Sequence, residues 1–213
     1  MNLSEKQIIG WGFIIAPIIF LISVPLWFTQ PQFDQATRLV EEFAWAQDNK
    51  LLAVTPILLA GLGFGLIGTM YLLFVRQLQE ETGKAILKVV FLFLLMNVTL
   101  QLSDFGLYLD TVLSPTEELN ASTIIGVISV TGLSDILAGI GFIILGKAIR
   151  DIKKFGSKSN AVISFGLLIF GITNIVSGFV SEEISDVLGL VGWLIIFNIV
   201  NFTLGRSILK ENT

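Results

Sequence analysis

Six stretches of the chain are almost continuously apolar, and short polar or charged segments separate them. They cover approximately residues 8–28, 51–75, 85–108, 123–146, 161–180 and 187–204. Each is near the roughly 20 residues that a helix needs to cross the hydrocarbon core of a bilayer. The pattern predicts an all-α, polytopic integral membrane protein. It forms a single membrane domain over residues 1–213, a bundle of six transmembrane helices. The first stretch exceeds the about 7 to 15 apolar residues of a secretory leader, and no small-residue cleavage motif follows it. It is read as a resident helix bent at Pro17 and Pro25.

The longest segment outside the spans, residues 30–50, is too short to build a soluble core. Within it Phe33, Ala36, Val40, Phe43 and Ala44 recur at helical spacing, opposite Asp34, Arg38, Glu41 and Glu42. This predicts an outer amphipathic helix, either capping an opening or lying on the headgroups with Trp45 as an anchor. Trp11, Trp27 and Trp193 also fall near span ends, where tryptophan commonly anchors a helix at the interface. The second span carries Gly61, Gly65 and Gly68 on one face, a surface for close helix approach and a candidate for dimerisation.

Composition and charge narrow the chemistry. Only 14% of residues are charged, against about 25% in soluble domains, and neither cysteine nor histidine occurs. Thiol or imidazole catalysis, disulfides, His-ligated haem and Cys/His metal sites are therefore excluded, and no cofactor is implied. Placing the N-terminus inside puts 11 of the 13 basic residues in cytoplasmic segments and leaves only Arg38 and Lys50 outside. The positive-inside rule thus predicts a multi-pass protein of the cell (inner or plasma) membrane with both termini cytoplasmic. The basic run from Lys147 to Lys158 suits anionic lipid headgroups, and nothing supports nucleic-acid binding.

Two charged residues lie within spans, Asp104 and Asp135, and no lysine or arginine lies equally deep. A carboxylate at that depth is expected to take up a proton, bind a cation or face a polar cavity. Asn97, Gln101, Asp104 and Tyr108 follow 4, 3, 4 spacing, a polar stripe from mid-membrane to the outer surface. Thr131 and Ser134 neighbour Asp135, Asn174 lies on the fifth span, and Asn198 and Asn201 share a face of the sixth. Converging inside the bundle, these groups would line a polar cavity open to the outside. The plainer alternative for the neutral residues is hydrogen bonding between helices.

Gly132-Leu133-Ser134-Asp135 resembles the GxGD motif of presenilin-type and prepilin-type peptidases, with Ser134 in place of the second glycine. No Tyr-Asp or Pro-Ala-Leu partner motif accompanies it, and the depths of the two aspartates do not suit a proton-sharing dyad. The sequence favours a small transporter or channel-like protein with a proton- or cation-binding carboxylate. None of the spans reads as strongly broken at the midplane, which counts against a secondary transporter. The alternative is a non-catalytic subunit or scaffold of a larger membrane complex, with homo-oligomers or other membrane subunits as partners. An enzyme ranks last.

Overall fold

The computed structural model describes residues 3–27, 31, 38–113, 121–177, 179–180 and 182–211. The chain forms helices α1 (Glu5–Trp27), α2 (Arg38–Asp48), α3 (Lys50–Thr82), α4 (Ile86–Leu113), α5 (Ala121–Ile152), α6 (Ser157–Ser177), α7 (Glu182–Gly189) and α8 (Asn198–Lys210). A π-helical segment, Leu190–Phe197, joins α7 to α8. Six of the helical stretches are long and apolar enough to cross a membrane, as the sequence pattern predicts. The protein is a polytopic, all-α membrane bundle. Pro17 and Pro25 both lie inside the continuous α1.

Turn chemistry explains where the long helices stop. Gly83 takes a left-handed backbone (φ 66°) just past α3, and its N–H bonds the Gln79 carbonyl. Lys153 does the same work after α5 at φ 54°, with its N–H on the Ile149 carbonyl.

The spanning helices pack as a closed ring, α1–α3–α4–α5–α6–α8, with α8 returning to α1. Aromatic side chains fill the centre: Phe13 meets Tyr71 at 4.9 Å, Tyr71 meets Phe142 at 5.0 Å, and Phe170 stacks on Phe197 at 4.4 Å. The outside is apolar too, with residues such as Leu62, Leu92, Phe165 and Ile199 exposed. Such a surface suits lipid and would be a liability in water. Thr55, Thr69, Thr99, Ser103 and Thr203 all donate their hydroxyls to the carbonyl four residues back, at 2.7–2.9 Å. Each hydroxyl is thereby satisfied within its own helix, as a lipid-facing group must be.

Close approach between helices depends on glycine. A Cβ built at Gly205 would lie 2.6 Å from the Gly10 carbonyl oxygen, and one at Gly171 would lie 2.6 Å from that of Gly139. These pairs lock α8 to α1 and α6 to α5. The glycine face of α3 is used within the chain, because Gly61, Gly65 and Gly68 meet Phe105, Leu102 and Val98 of α4. Gly61 and Gly65 also border an open groove beside α4, so part of this face stays accessible. Trp193 is half-buried and packs inward on Phe170 at 4.7 Å and on Phe197 at 4.8 Å, which corrects its reading as a lipid anchor. Trp11 is exposed, as an anchor should be. The side chain of Trp27 lies outside the described residues.

Of the amphipathic segment 30–50, residues 38–48 form α2, while 30 and 32–37 lie outside the described residues. Ala46 is buried with Ala53 and Ile57, and Trp45 packs against this cluster with Phe105 and Leu109. Helix α2 is therefore docked on α3 and α4, and Trp45 joins that contact.

One end of the bundle gathers charge. Lys6 pairs with Glu81 at 3.1 Å, Lys154 with Glu81 and, at 3.6 Å, with Glu211, and Arg76 with Glu5 at 2.5 Å. These pairs tie the start of α1, the end of α3, the α5–α6 turn and the residue after α8 to the same end. The sequence pattern placed their basic members on one face. Glu81 lies beyond the apolar run of α3, outside the membrane-spanning stretch. Partial burial pushes its carboxyl up, but the Lys154 and Lys6 ammonium groups outweigh that and hold it below the usual value.

Candidate functional site

Helices α4 and α5 bring the first two predicted residues into direct contact. Asn97 is buried, and its Nδ2 donates to the Ser134 hydroxyl at 2.8 Å and to the Ser134 carbonyl at 3.1 Å. Asp135 is next in sequence, about 100° further round α5. It is half-buried and makes no hydrogen bond or ion pair with any described residue.

The Gly139–Gly171 contact lies one turn from Asp135 towards the basic end, on the same face of α5. Asn174 lies one turn from Gly171 in the opposite direction, on the same face of α6. The glycine pair thus sets Asp135 and Asn174 at one level on adjoining helices. Asn174 is buried, and its Nδ2 donates to the Phe170 carbonyl at 2.7 Å.

Above Asn97 on α4, Gln101 is buried and Asp104 half-buried, on the same helix face. Asp104 and Asp135 lie within electrostatic reach of each other. Among the described residues no group of three acidic side chains forms a metal site. The side chains of Tyr108 and Thr131 lie outside the described residues.

Asn198 and Asn201 occupy other ground. Asn198 ends the π-helical segment, and its Nδ2 donates to the Trp193 carbonyl at 2.8 Å and the Leu194 carbonyl at 3.0 Å. It thereby bonds carbonyls of the π-turn. Asn201 is fully buried one turn beyond Phe197, and neither its Nδ2 nor its Oδ1 has a hydrogen-bond partner among the described residues. Phe197 contacts Phe142 at 5.7 Å and Phe170 at 4.4 Å. Phe142 lies two turns from Asp135, and Phe170 one turn from Asn174, in both cases towards the basic end. An aromatic layer therefore separates Asn97, Asp135 and Asn174 from Asn201.

Four buried polar groups were not singled out from the sequence, and one of them, Ser23, donates its hydroxyl to the Phe20 carbonyl within α1. Tyr71, Ser164 and Asn160 are all buried. The Tyr71 hydroxyl and the Asn160 Oδ1 have no hydrogen-bond partner among the described residues. Ser164 and Asn160 continue down α6 on the Asn201 side of the layer. Tyr71 also borders, with Asn97, a small space of about 10 Å³ within the aromatic cluster, near the limit for one water. A lone tyrosine in an apolar helix reads as core, so only the unmet hydroxyl distinguishes it. The π-helical segment within the sixth span was equally illegible.

The arrangement has a definite chemical capacity. It offers one carboxylate with no hydrogen bond or ion pair to a described residue, amide and hydroxyl groups on the three adjoining helices, and an apolar closure towards the basic end. That can hold a small cation or a proton. Comparison with known proteins adds no identification: no family model, no curated protein and no solved structure matches the chain. The class defined by the fold is a six-helix, multi-pass membrane protein.

Proposed function

We propose that the protein is a small transporter or channel-like protein of the cell membrane in which Asp135 binds a proton or cation. Ligand enters on the side away from the basic end. The observation that carries this reading is the Asp135 carboxylate, set deep in a span beside the Asn97–Ser134 bond with no described hydrogen bond or ion pair. Keeping a carboxylate there costs several kcal/mol in the absence of a ligand or proton. Asn97, Ser134 and Asn174 supply polar neighbours, Gln101 and Asp104 extend the polar face of α4, and the aromatic layer closes the path. Asn201 belongs to the far side of that layer, where it would meet a ligand after it passes, while Asn198 is held on the π-turn carbonyls.

The Asp135→Asn protein is expected to fold but to lose the part of its thermal stability that varies with pH or cation concentration. Melting curves in detergent across about pH 5 to 9 test this. Identical pH dependence in both proteins contradicts the assignment.

The basic end faces the cytoplasm in this reading, which puts both termini inside. The chain has no native cysteine, so single introduced cysteines report cleanly. Thr116→Cys is expected to react with an impermeant thiol reagent on intact cells, and Ser157→Cys only after permeabilisation. The reverse pattern inverts the orientation.

The competing reading, a subunit of a larger complex, draws on an open apolar groove of about 460 Å³ between α3 and α4, lined in part by Leu58, Leu62, Leu102 and Gly106. A partner helix seated there would leave Asp135 as a hydrogen-bond donor within an assembly. Native mass spectrometry separates the two readings, since recovery in a stoichiometric complex with other chains favours the subunit.

A further inference from the structure

Two clefts meet along the last two turns of α8. One, of about 440 Å³, lies against α1 and is walled by Ile14, Phe202 and Leu209. The other, of about 370 Å³, lies against α6 and is walled by Ser159, Thr203 and Ser207. Phe202, Arg206 and Lys210 border both. The spacing explains the division: Phe202, Arg206 and Leu209 fall on one stripe of α8, and Thr203, Ser207 and Lys210 on the next. One compartment is therefore apolar, its neighbour carries hydroxyls, and two cations stand on the border between them.

The cations of this end are not equivalent. Lys6, Arg76 and Lys154 are engaged by Glu81, Glu5 and Glu211. Arg206 is exposed and makes no hydrogen bond or ion pair with any described residue. A guanidinium in this position presents a planar fork of donors that matches a phosphate. The level is that of lipid phosphates, because α8 ends here and the charged end of the bundle begins.

We propose that this double cleft is a binding site for an anionic glycerophospholipid. The lipid phosphate sits on Arg206 and Lys210 with hydroxyl contacts from Ser159 and Ser207. One acyl chain lies in the apolar compartment along Ile14, Phe202 and Leu209. The occupant is a lipid because the apolar compartment adjoins the anion-binding one and would be useless to a free anion. A lipid here would brace α8 against α1 and α6, and the site is independent of any role of Asp135.

The test uses the full chain purified in neutral detergent and titrated with phosphatidylglycerol, phosphatidylcholine or inorganic phosphate. Binding is read by melting temperature and by native mass spectrometry. Phosphatidylglycerol is expected to raise the melting temperature and give a one-lipid adduct, and phosphatidylcholine to do so only weakly. Arg206→Gln is expected to require about tenfold more phosphatidylglycerol, the loss of one charge-assisted contact. Arg150→Gln, which alters an exposed cation of the same end outside the cleft, is expected to behave as wild type. Ser207→Leu fills the polar compartment while keeping both cations, and is expected to weaken binding as Arg206→Gln does. That second variant decides the matter if Arg206→Gln does not fold. Equal binding of phosphatidylglycerol by wild type and both cleft variants overturns the proposal, and so does equal binding of the two lipids. An Arg206-dependent shift with inorganic phosphate alone, as large as that with lipid, overturns the lipid assignment in favour of a free anion.

Discussion

Gly171→Leu is expected to prevent recovery of folded, monodisperse protein, and Gly171→Ala to lower the melting temperature sharply. A Cβ at Gly171 would lie 2.6 Å from the Gly139 carbonyl oxygen and 3.0 Å from the Ile143 nitrogen. Both are backbone atoms, so no side-chain rotation relieves the clash, and α5 and α6 must move apart. In a bilayer that movement is costly, because lipid tails are as apolar as leucine and helix association rests on close packing. Overpacking by one methyl costs about 1–3 kcal/mol, and leucine adds three more carbons to the same gap. Gly106 supplies the control, since a Cβ there would meet no described atom within 4 Å. Gly106→Ala is expected to melt at or slightly above wild type, because alanine is favoured over glycine in a helix by about 1 kcal/mol. Equal melting of the Gly171→Ala and Gly106→Ala proteins contradicts this account of the packing.

In proteoliposomes, Asp135→Asn is expected to reduce proton or cation flux about a hundredfold or more while the protein still inserts and folds. Asparagine keeps the size and the hydrogen-bonding atoms but cannot carry charge or exchange a proton. At 4 Å a carboxylate attracts a monovalent cation by about 4 kcal/mol at an effective dielectric near 20. Each about 1.4 kcal/mol is a factor of ten in binding, so a hundredfold loss remains after desolvation takes its share. Asp104→Asn is expected to have a smaller effect, because Asp104 stands two turns from Asn97 towards the entrance. Unchanged flux in the Asp135→Asn protein removes the carboxylate from the mechanism.

The spans were legible because the bilayer imposes one strict requirement, a long apolar run with its backbone bonded internally, and composition alone meets it. The sharing of one end by Lys6, Arg76 and Lys154 was legible for a similar reason, since charge cannot be left in the hydrocarbon. Asn97 and Ser134 were singled out as polar groups at depth. Their direct bond was not predictable, because spacing along one helix says nothing about its register against another. The glycine face of α3 shows the same limit. Its three glycines are plain in the sequence, yet only the register of α4 reveals that Val98, Leu102 and Phe105 pack against it. Trp193 misled because its place near a predicted span end matched the interface rule. The π-helical segment widens the turn there and brings the indole inward onto Phe170 and Phe197. Tyr71 stayed hidden because its burial depends on other helices, which bring Phe13, Phe142 and Phe197 around its ring.

The most direct test of the central claim is a titration of the carboxyl groups by infrared difference spectroscopy on the full chain in lipid. Acidification from the side away from the basic end is predicted to produce a protonated-carboxyl band that is present in wild type and in Asp104→Asn. Asp135→Asn is predicted to lack it, and a transported cation to suppress it in wild type. A band that persists unchanged in the Asp135→Asn protein, or no titrating band in wild type, contradicts the assignment of Asp135 as the binding carboxylate.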